Sequence, residues 1–330
     1  MRSGFSFKVL FLCILLVLLC MLALAIGPLR LSAGEILATL RGDGSDQAAT
    51  VVWQIRLPRI AAALMAGASL AAAGAAYQAL FRNPLVSPDI LGVSAGAGLG
   101  AVLGIFLSLP VFGIQLLAFA GGMAAVALVW LVASAVRNAD HTLVLVLTGV
   151  VVGALAGAMT SLLKVLADPY DQLPAITFWL LGSLASVTPE DIWPVLPAVL
   201  IGLVPLVLLG WRINVLSMGD DEARALGVET GRLRLAVIAS ATLATAAVTA
   251  LAGVLGWVGL VIPHIARMLV GPDFTRLLPV SLLLGAGYLL AVDTLARTIS
   301  GTEVPLGILT AMVGAPFFIW LLARGRRVWT

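Results

Sequence analysis

Val9-Leu-Phe-Leu-Cys-Ile-Leu-Leu-Val-Leu-Leu-Cys-Met-Leu-Ala-Leu-Ala-Ile26 runs for 18 residues without a charged or amide side chain. As a helix it reaches about 27 Å, close to the roughly 30 Å hydrocarbon core of a bilayer. Arg2 and Lys8 precede it, and Ala23-Leu24-Ala25 has the small-residue pattern of a cleavage site, so a signal peptide competes with a membrane helix. The run exceeds the usual apolar core of such peptides, about 7–15 residues, and many similar runs follow. It is read as a retained first span.

Working outward, the composition repeats the message. Of 330 residues, 61% are hydrophobic and 11% charged, and the mean hydropathy is +1.12. These values lie outside the soluble globular range and indicate one polytopic membrane domain over 1–330. Apolar segments predict ten helices near 9–27, 60–81, 90–109, 114–136, 142–166, 191–211, 235–254, 257–270, 277–297 and 306–323. The fold class is therefore all-α. The eighth segment is short, lies between Gly256 and Gly271, and is expected to break at Pro263. Cys13 and Cys20, seven residues apart on one helix, stand about 10 Å apart, too far for a disulfide.

Charge sets the orientation. With both termini cytoplasmic, the inside carries Arg2, Lys8, Arg82, Arg137, Arg212, Arg224, Arg232, Arg234, Arg267, Arg276, Arg324, Arg326 and Arg327, which is 13 of the 19 basic residues. Arg30, Arg41, Arg56, Arg59, Lys164 and Arg297 remain outside. This bias follows the positive-inside rule for an even number of spans. The net charge of +3 reports this asymmetry; with no basic stripe interleaved with aromatics, nothing suggests nucleic acid binding. Arg82-Asn-Pro-Leu-Val-Ser-Pro-Asp89 and Pro263-His-Ile-Ala-Arg-Met-Leu-Val-Gly-Pro-Asp273 each follow an Ala-rich span. Those two spans run in opposite directions, the arrangement of inverted repeats in transporters.

Chemistry-bearing motifs are few. Gly92-Val-Ser-Ala-Gly96 fits G-x-S-x-G, but a nucleophile elbow requires a strand-to-helix turn with acid and His partners, and the chain has only His141 and His264. Gly92, Gly96 and Gly100, echoed by Gly149, Gly153 and Gly157, are better read as ridges of small residues for close helix packing, possible around a path between the third and fifth helices. No nucleotide-phosphate loop and no Cys/His cluster of metal spacing occurs, so no cofactor or metal is expected on this chain. His264 is read as a packed histidine. Asp293 and Arg297 can pair four residues apart. Without a chain of membrane carboxylates, an ion-coupled secondary transporter, the alternative function, has little to work with.

One polar island stands out, Met218-Gly-Asp-Asp-Glu-Ala-Arg-Ala-Leu-Gly-Val-Glu-Thr-Gly-Arg-Leu-Arg234. Ser217 or Asp220 can cap a helix, the acidic residues suit its first turn, and Gly227 can end it. Met218, Ala223, Leu226 and Val228 offer an apolar face, and Thr230 a second cap. A solvated loop fits the periodicity equally well.

Several segments together resemble the permease family of bacterial importers for iron–siderophore complexes, haem and cobalamin. They are Arg56-Leu-Pro-Arg59, Gln78-Ala-Leu-Phe-Arg-Asn-Pro-Leu85, Leu91-Gly-Val-Ser-Ala-Gly-Ala97, Ala223-Arg-Ala-Leu-Gly-Val228, Gly259-Leu-Val-Ile-Pro-His-Ile-Ala-Arg267, Ala291-Val-Asp-Thr-Leu-Ala-Arg297 and Pro305-Leu-Gly-Ile-Leu-Thr310 with Gly314-Ala-Pro316. The resemblance implies a ten-helix subunit of the inner membrane that pairs with a second permease, as a homodimer. It implies two ATPase subunits that use ATP and Mg, and a periplasmic binding protein that delivers a metal chelate, a ferric siderophore first, then haem, cobalamin or molybdate. It further implies that 216–234, with Met218, Gly219, Asp220, Glu222, Ala223, Arg224, Ala225, Leu226 and Gly227, couples to the ATPase. Arg56, Arg59 and Arg297 would receive the binding protein, and His141 and Thr142 would lie at a cytoplasmic gate.

Overall fold

A computed structural model describes residues 2–136 and 141–324. The helices are α1 (Arg2–Ala25), α2 (Ala33–Arg41), α3 (Asp46–Ala49), α4 (Leu57–Leu80), α5 (Val93–Phe106), α6 (Val111–Ala135), α7 (His141–Leu166) and α8 (Gln172–Leu181). They continue as α9 (Pro189–Leu208), α10 (Gly210–Met218), α11 (Asp220–Ala225), α12 (Thr230–Ala252), α13 (Val258–Val270), α14 (Phe274–Ala296) and α15 (Leu306–Arg324). No strand occurs among the described residues. Each of the ten apolar segments corresponds to a helix: α1, α4, α5, α6, α7, α9, α12, α13, α14 and α15. Seven stretches are long and apolar enough to cross a membrane, while α5, α8, α13 and the apolar part of α15 are shorter.

The order of layers follows from side-chain size. The Ala-rich α4 and α12 are buried along most of their length, with α14 beside them. Gly67 of α4 and Gly285 of α14 face each other so closely that a Cβ on either would overlap the other's carbonyl oxygen. Between lipid-embedded helices, where burial from water supplies no drive, such backbone approach maximises dispersion contact. The helices rich in Leu, Ile and Val lie outside. Along α1, Leu10, Phe11, Ile14, Leu15, Leu18 and Met21 are exposed, as a lipid-facing helix requires.

One expectation is corrected. Pro263 does not break α13, which runs continuously from Val258 to Val270. The missing proline donor removes only its own bond toward Gly259, whose carbonyl lies against Gly74 of α4. Consequently 82–89 and 263–273 differ in structure: the first is a turn-rich link containing the 3-10 turn Pro88–Leu91, the second mostly helix. The breaks fall elsewhere. α8 stops at Gly182 (φ +74°), α12 stops at Gly253 (φ +72°), and α13 starts at Trp257 (φ +71°). Ser183 N–H donates to the Ala252 carbonyl at 2.9 Å, and Leu306 N–H, opening α15, donates to the Gly182 carbonyl at 2.9 Å. Broken backbone is tolerated at membrane depth where protein satisfies it in this way.

Candidate functional site: two charged ends of one bundle

At one end, the C-termini of α1 and α14 meet the N-terminus of α4. A π-helical turn, Thr50–Arg56, leads into α4 and places Pro58 in its first turn. Arg56, Arg59 and Arg297 converge here with 2%, 4% and 6% exposure. Residues that the resemblance gives to binding-protein docking are therefore buried in this chain. Arg59 donates through Nε to Asp293 at 2.7 Å, and through both terminal nitrogens to Glu303 at 2.7 and 3.0 Å. Arg297 lies 3.6 Å from the second Asp293 oxygen, the pair expected from their spacing, and donates to the Ala23 carbonyl at 2.7 Å. Arg56 donates to the carbonyls of Leu24, Ala25 and Leu29.

The physical reason for burial is twofold. Three guanidiniums opposite two carboxylates stay charged inside protein only if their donors are occupied. The last carbonyls of α1, which have no partner within the helix, need such donors and carry the negative end of its dipole. Arg56 and Arg297 thus complete the terminus of α1, and Arg59 ties α4 to α14 and to the link before α15.

At the other end, α10, α11 and the start of α12 form the island. Ser217 does not cap α11; its hydroxyl donates to the Asn214 carbonyl at 2.6 Å. Gly219 precedes α11 with φ +146°, and Asp220 pairs with Arg234 at 2.7 Å instead of capping. Gly227 ends the helix as expected. At φ +79° its N–H donates to Arg224, and the Val228 N–H donates to Ala223, both at 2.9 Å. These two bonds make a Schellman motif, with Val228 packing inward beside Ala223. The proposed apolar face therefore divides: Ala223 (0% exposed) and Val228 (7%) anchor the island in the core, while Met218 (65%) and Leu226 (55%) project. Glu222, Arg224 and Ala225 are exposed. Thr230 is buried in the first turn of α12, and Glu229 occupies the cap position. α12 starts there directly, without an intervening short segment.

Below the island, Asp273 accepts from Asn214, Thr275 N–H and the Thr275 hydroxyl. Burial raises the pKa of this carboxyl, but the bonds from Thr275 and Asn214, with Arg276 nearby, hold it below the usual range overall.

The glycine ridges pack differently from the expectation of α5 against α7. A Cβ on Gly96 or Gly100 would overlap α6, at the carbonyls of Gly121 and Leu117. Gly149 of α7 lies against the Ile90 carbonyl, and Gly92 faces Gly149 and Gly153 at ordinary contact distance. Gly157 meets nothing within 4 Å. Ser94 donates to the Asp89 carboxylate, and Gly92 joins a 3-10 turn to a helix, so the strand-to-helix elbow of a hydrolase is missing. His264 is 7% exposed and edge-on to Phe317 at 6.3 Å, a packed histidine as read. His141 stands edge-on to Trp130 at 5.3 Å. Both His141 and Thr142 are half-buried at the start of α7. Arg137 lies outside the described residues.

The sequence reading missed Glu303 as a partner of Arg59, and helix α8. For Glu303 a signal existed: three arginines expected at one end face a single acid inside an apolar helix, Asp293, and guanidiniums held in protein require further carboxylates.

Against known proteins, the sequence profile of the FecCD transport family matches residues 15–324. This chain belongs to the FecCD transport family. It is 41% identical over 329 residues to the molybdate import system permease protein MolB of Haemophilus influenzae, covering 96% of this chain and 97% of that one. It is 44% identical over 292 residues to the cobalamin import system permease protein BtuC of Halobacterium salinarum, covering 88% and 78%. With the hemin transport system permease protein HmuU of Yersinia pestis it shares 36% over 329 residues, covering 96% and 95%. Among solved structures, a metal-chelate type ABC transporter in an inward-facing conformation superposes with a TM-score of 0.88 at 39% identity, covering 97% of this chain and 99% of that one. The permease fold is thus shared along nearly the whole FecCD chain.

Proposed function

We propose that this FecCD permease is the membrane-spanning subunit of an ATP-driven importer, powered through its island by separate ATPase subunits. The observation that carries the reading is the division of the island. Ala223, Val228 and the Asp220–Arg234 pair fix it to the bundle, while Met218 and Leu226 project apolar side chains at a polar end. Exposed apolar groups on a rigid mount are what a force-bearing contact needs, since a loose loop would absorb the motion. The permeases similar to this chain are named as parts of import systems, and the superposed structure as an ABC transporter.

On this reading, two ATPase subunits bind ATP and Mg at the cytoplasmic face, both termini lie on that side, and the membrane is the bacterial inner membrane. Two copies of the chain pair as a homodimer. The exposed small residues Ala154, Gly157, Ala158 and Ser161 of α7 line the path between them, with His141 and Thr142 at its cytoplasmic gate. A periplasmic binding protein engages the opposite end. Because Arg59 is buried behind Glu303, docking through Arg56, Arg59 and Arg297 proceeds by exchange, an incoming carboxylate replacing Glu303. The cargo is a metal chelate or metal oxyanion. A ferric siderophore is one member of that class, beside the molybdate, cobalamin and hemin named for the relatives.

Purification of the chain from its native membranes tests this directly. An ATPase subunit should accompany it, and uptake into vesicles should require ATP inside. A chain that purifies alone and transports under an ion gradient would contradict the proposal.

A further inference from the structure

Beside the island, between the start of α10 and the first turns of α12, lies a groove of about 480 Å³. Its polar wall holds Trp211, Arg212, Glu229 and Arg232; its apolar wall holds Leu209 and Leu226. The volume falls within the range of small-ligand sites. Arg232 is 85% exposed and, among the described residues, pairs only with its near neighbour Glu229, at 2.8 Å. Arg212 is exposed, and among the described residues no carboxylate forms an ion pair with it. The groove therefore keeps a net positive charge.

Three features fix the kind of occupant. The groove sits where α9 ends and α12 begins, at the level where an apolar bundle gives way to polar links. Trp211, 59% exposed, has the amphipathic ring that concentrates at headgroup depth. By helical spacing, the turns of α9 before Trp211 and the turn of α12 after Arg232 carry exposed apolar side chains: Val204, Val207 and Leu208, the last 78% exposed, and Leu235, 45% exposed. A positive pocket joined to an apolar track matches a molecule with an anionic head and hydrocarbon tails. Basic pockets between membrane helices take anionic headgroups in this way.

We propose that this groove binds one anionic phospholipid of the surrounding membrane, its phosphate between Arg212 and Arg232, its acyl chains along α9 and α12. Leu226 lines the groove as well as projecting from the island, so on the proposed function a bound lipid braces the base of the island beneath the ATPase contact.

The test uses the full chain in nanodiscs of phosphatidylcholine with increasing phosphatidylglycerol, read by native mass spectrometry. The wild-type protein should retain phosphatidylglycerol. The Arg212→Ala/Arg232→Ala variant should need about thirtyfold more for equal occupancy, taking the usual contribution of each near-surface basic residue. The Arg212→Lys/Arg232→Lys variant should recover most of the binding and guards against a folding defect. Arg30→Ala/Arg41→Ala, at the opposite end, should change nothing. Equal retention by the wild-type and double-alanine proteins would overturn the proposal. So would competition by glycerol phosphate at the same concentration as the lipid, since the acyl track would then contribute nothing. In a second preparation, the full chain co-expressed with its ATPase subunit, loss of that subunit rather than of lipid in the double-alanine variant would assign the groove to a protein partner and equally overturn it.

Discussion

The two ends of this bundle handle the same side chain in opposite ways. At the end where α1, α4 and α14 meet, Arg56, Arg59 and Arg297 lie inside the protein and donate to carboxylates and carbonyls, while Arg297 Nε is held by ion pairing with Asp293 at 3.6 Å without a hydrogen bond. At the island end, Arg224 and Arg232 are 66% and 85% exposed and, among the described residues, pair only within their own turn. Charge buried with its partners holds helices together; charge left in solvent is available to something else. The contrast separates an end whose arginines tie helices together from one whose arginines stand in solvent, although hydropathy gives all five arginines the same value.

The largest expected effect lies in the buried cluster. Asp293→Ala leaves Arg59 with only Glu303 and Arg297 without a carboxylate in contact, and removing one member of a buried pair costs about 3–5 kcal/mol. Thermal unfolding in detergent should show a collapse of stability or loss of monodisperse protein. A variant as stable as wild type would erase the distinction between the two ends. For the same reason, reversing Arg56 and Arg59 to Glu should impair the fold itself and not docking alone.

Next comes Gly227→Val. A β-branched residue in the left-handed region costs roughly 1–2 kcal/mol and loosens the Schellman turn. Membrane insertion should persist while recovery of the ATPase with the protein falls. Unchanged recovery would mean the island needs no fixed shape.

Glu303→Gln should have a smaller effect on stability, about 1 kcal/mol or less, because this side chain is 40% exposed and Asp293 stays in place. On the exchange reading it should also tighten capture of the binding protein, measured by surface plasmon resonance; weaker capture would count against exchange. Smallest of all, Arg232→Ala should leave thermal stability unchanged within about 0.5 kcal/mol, as exposed ion pairs contribute little.

Much of the architecture was legible in the sequence because apolar runs of span length have one economical solution in a bilayer. All ten predicted segments are helical, and Gly227 terminates its helix where the sequence placed the stop. What was hidden depends on three-dimensional partners. Arg59 meets Asp293 and Glu303 across sequence separations of 234 and 244 residues, and hydropathy scores each charge alone. Similarly, α8 has ten residues including Pro174, too short for a span and so passed over between two longer runs. The expected break at Pro263 went unrealised because packing of Gly74 against the Gly259 backbone accommodates the proline's freed carbonyl. At the island, periodicity could suggest a helix, yet only packing reveals that Ala223 faces inward while Leu226 faces out.

The central claim is that the projecting side of the island, and not the arginine cluster, meets the ATPase. A photo-crosslinking amino acid at Leu226, introduced into the complete transporter in native membranes, tests it most directly, with Tyr170, 86% exposed between α7 and α8, as the comparison site. The account predicts a crosslinked product of the chain with the ATPase subunit from Leu226 and none from Tyr170. Capture from Tyr170, or none from Leu226 in a complex that still hydrolyses ATP, would contradict it.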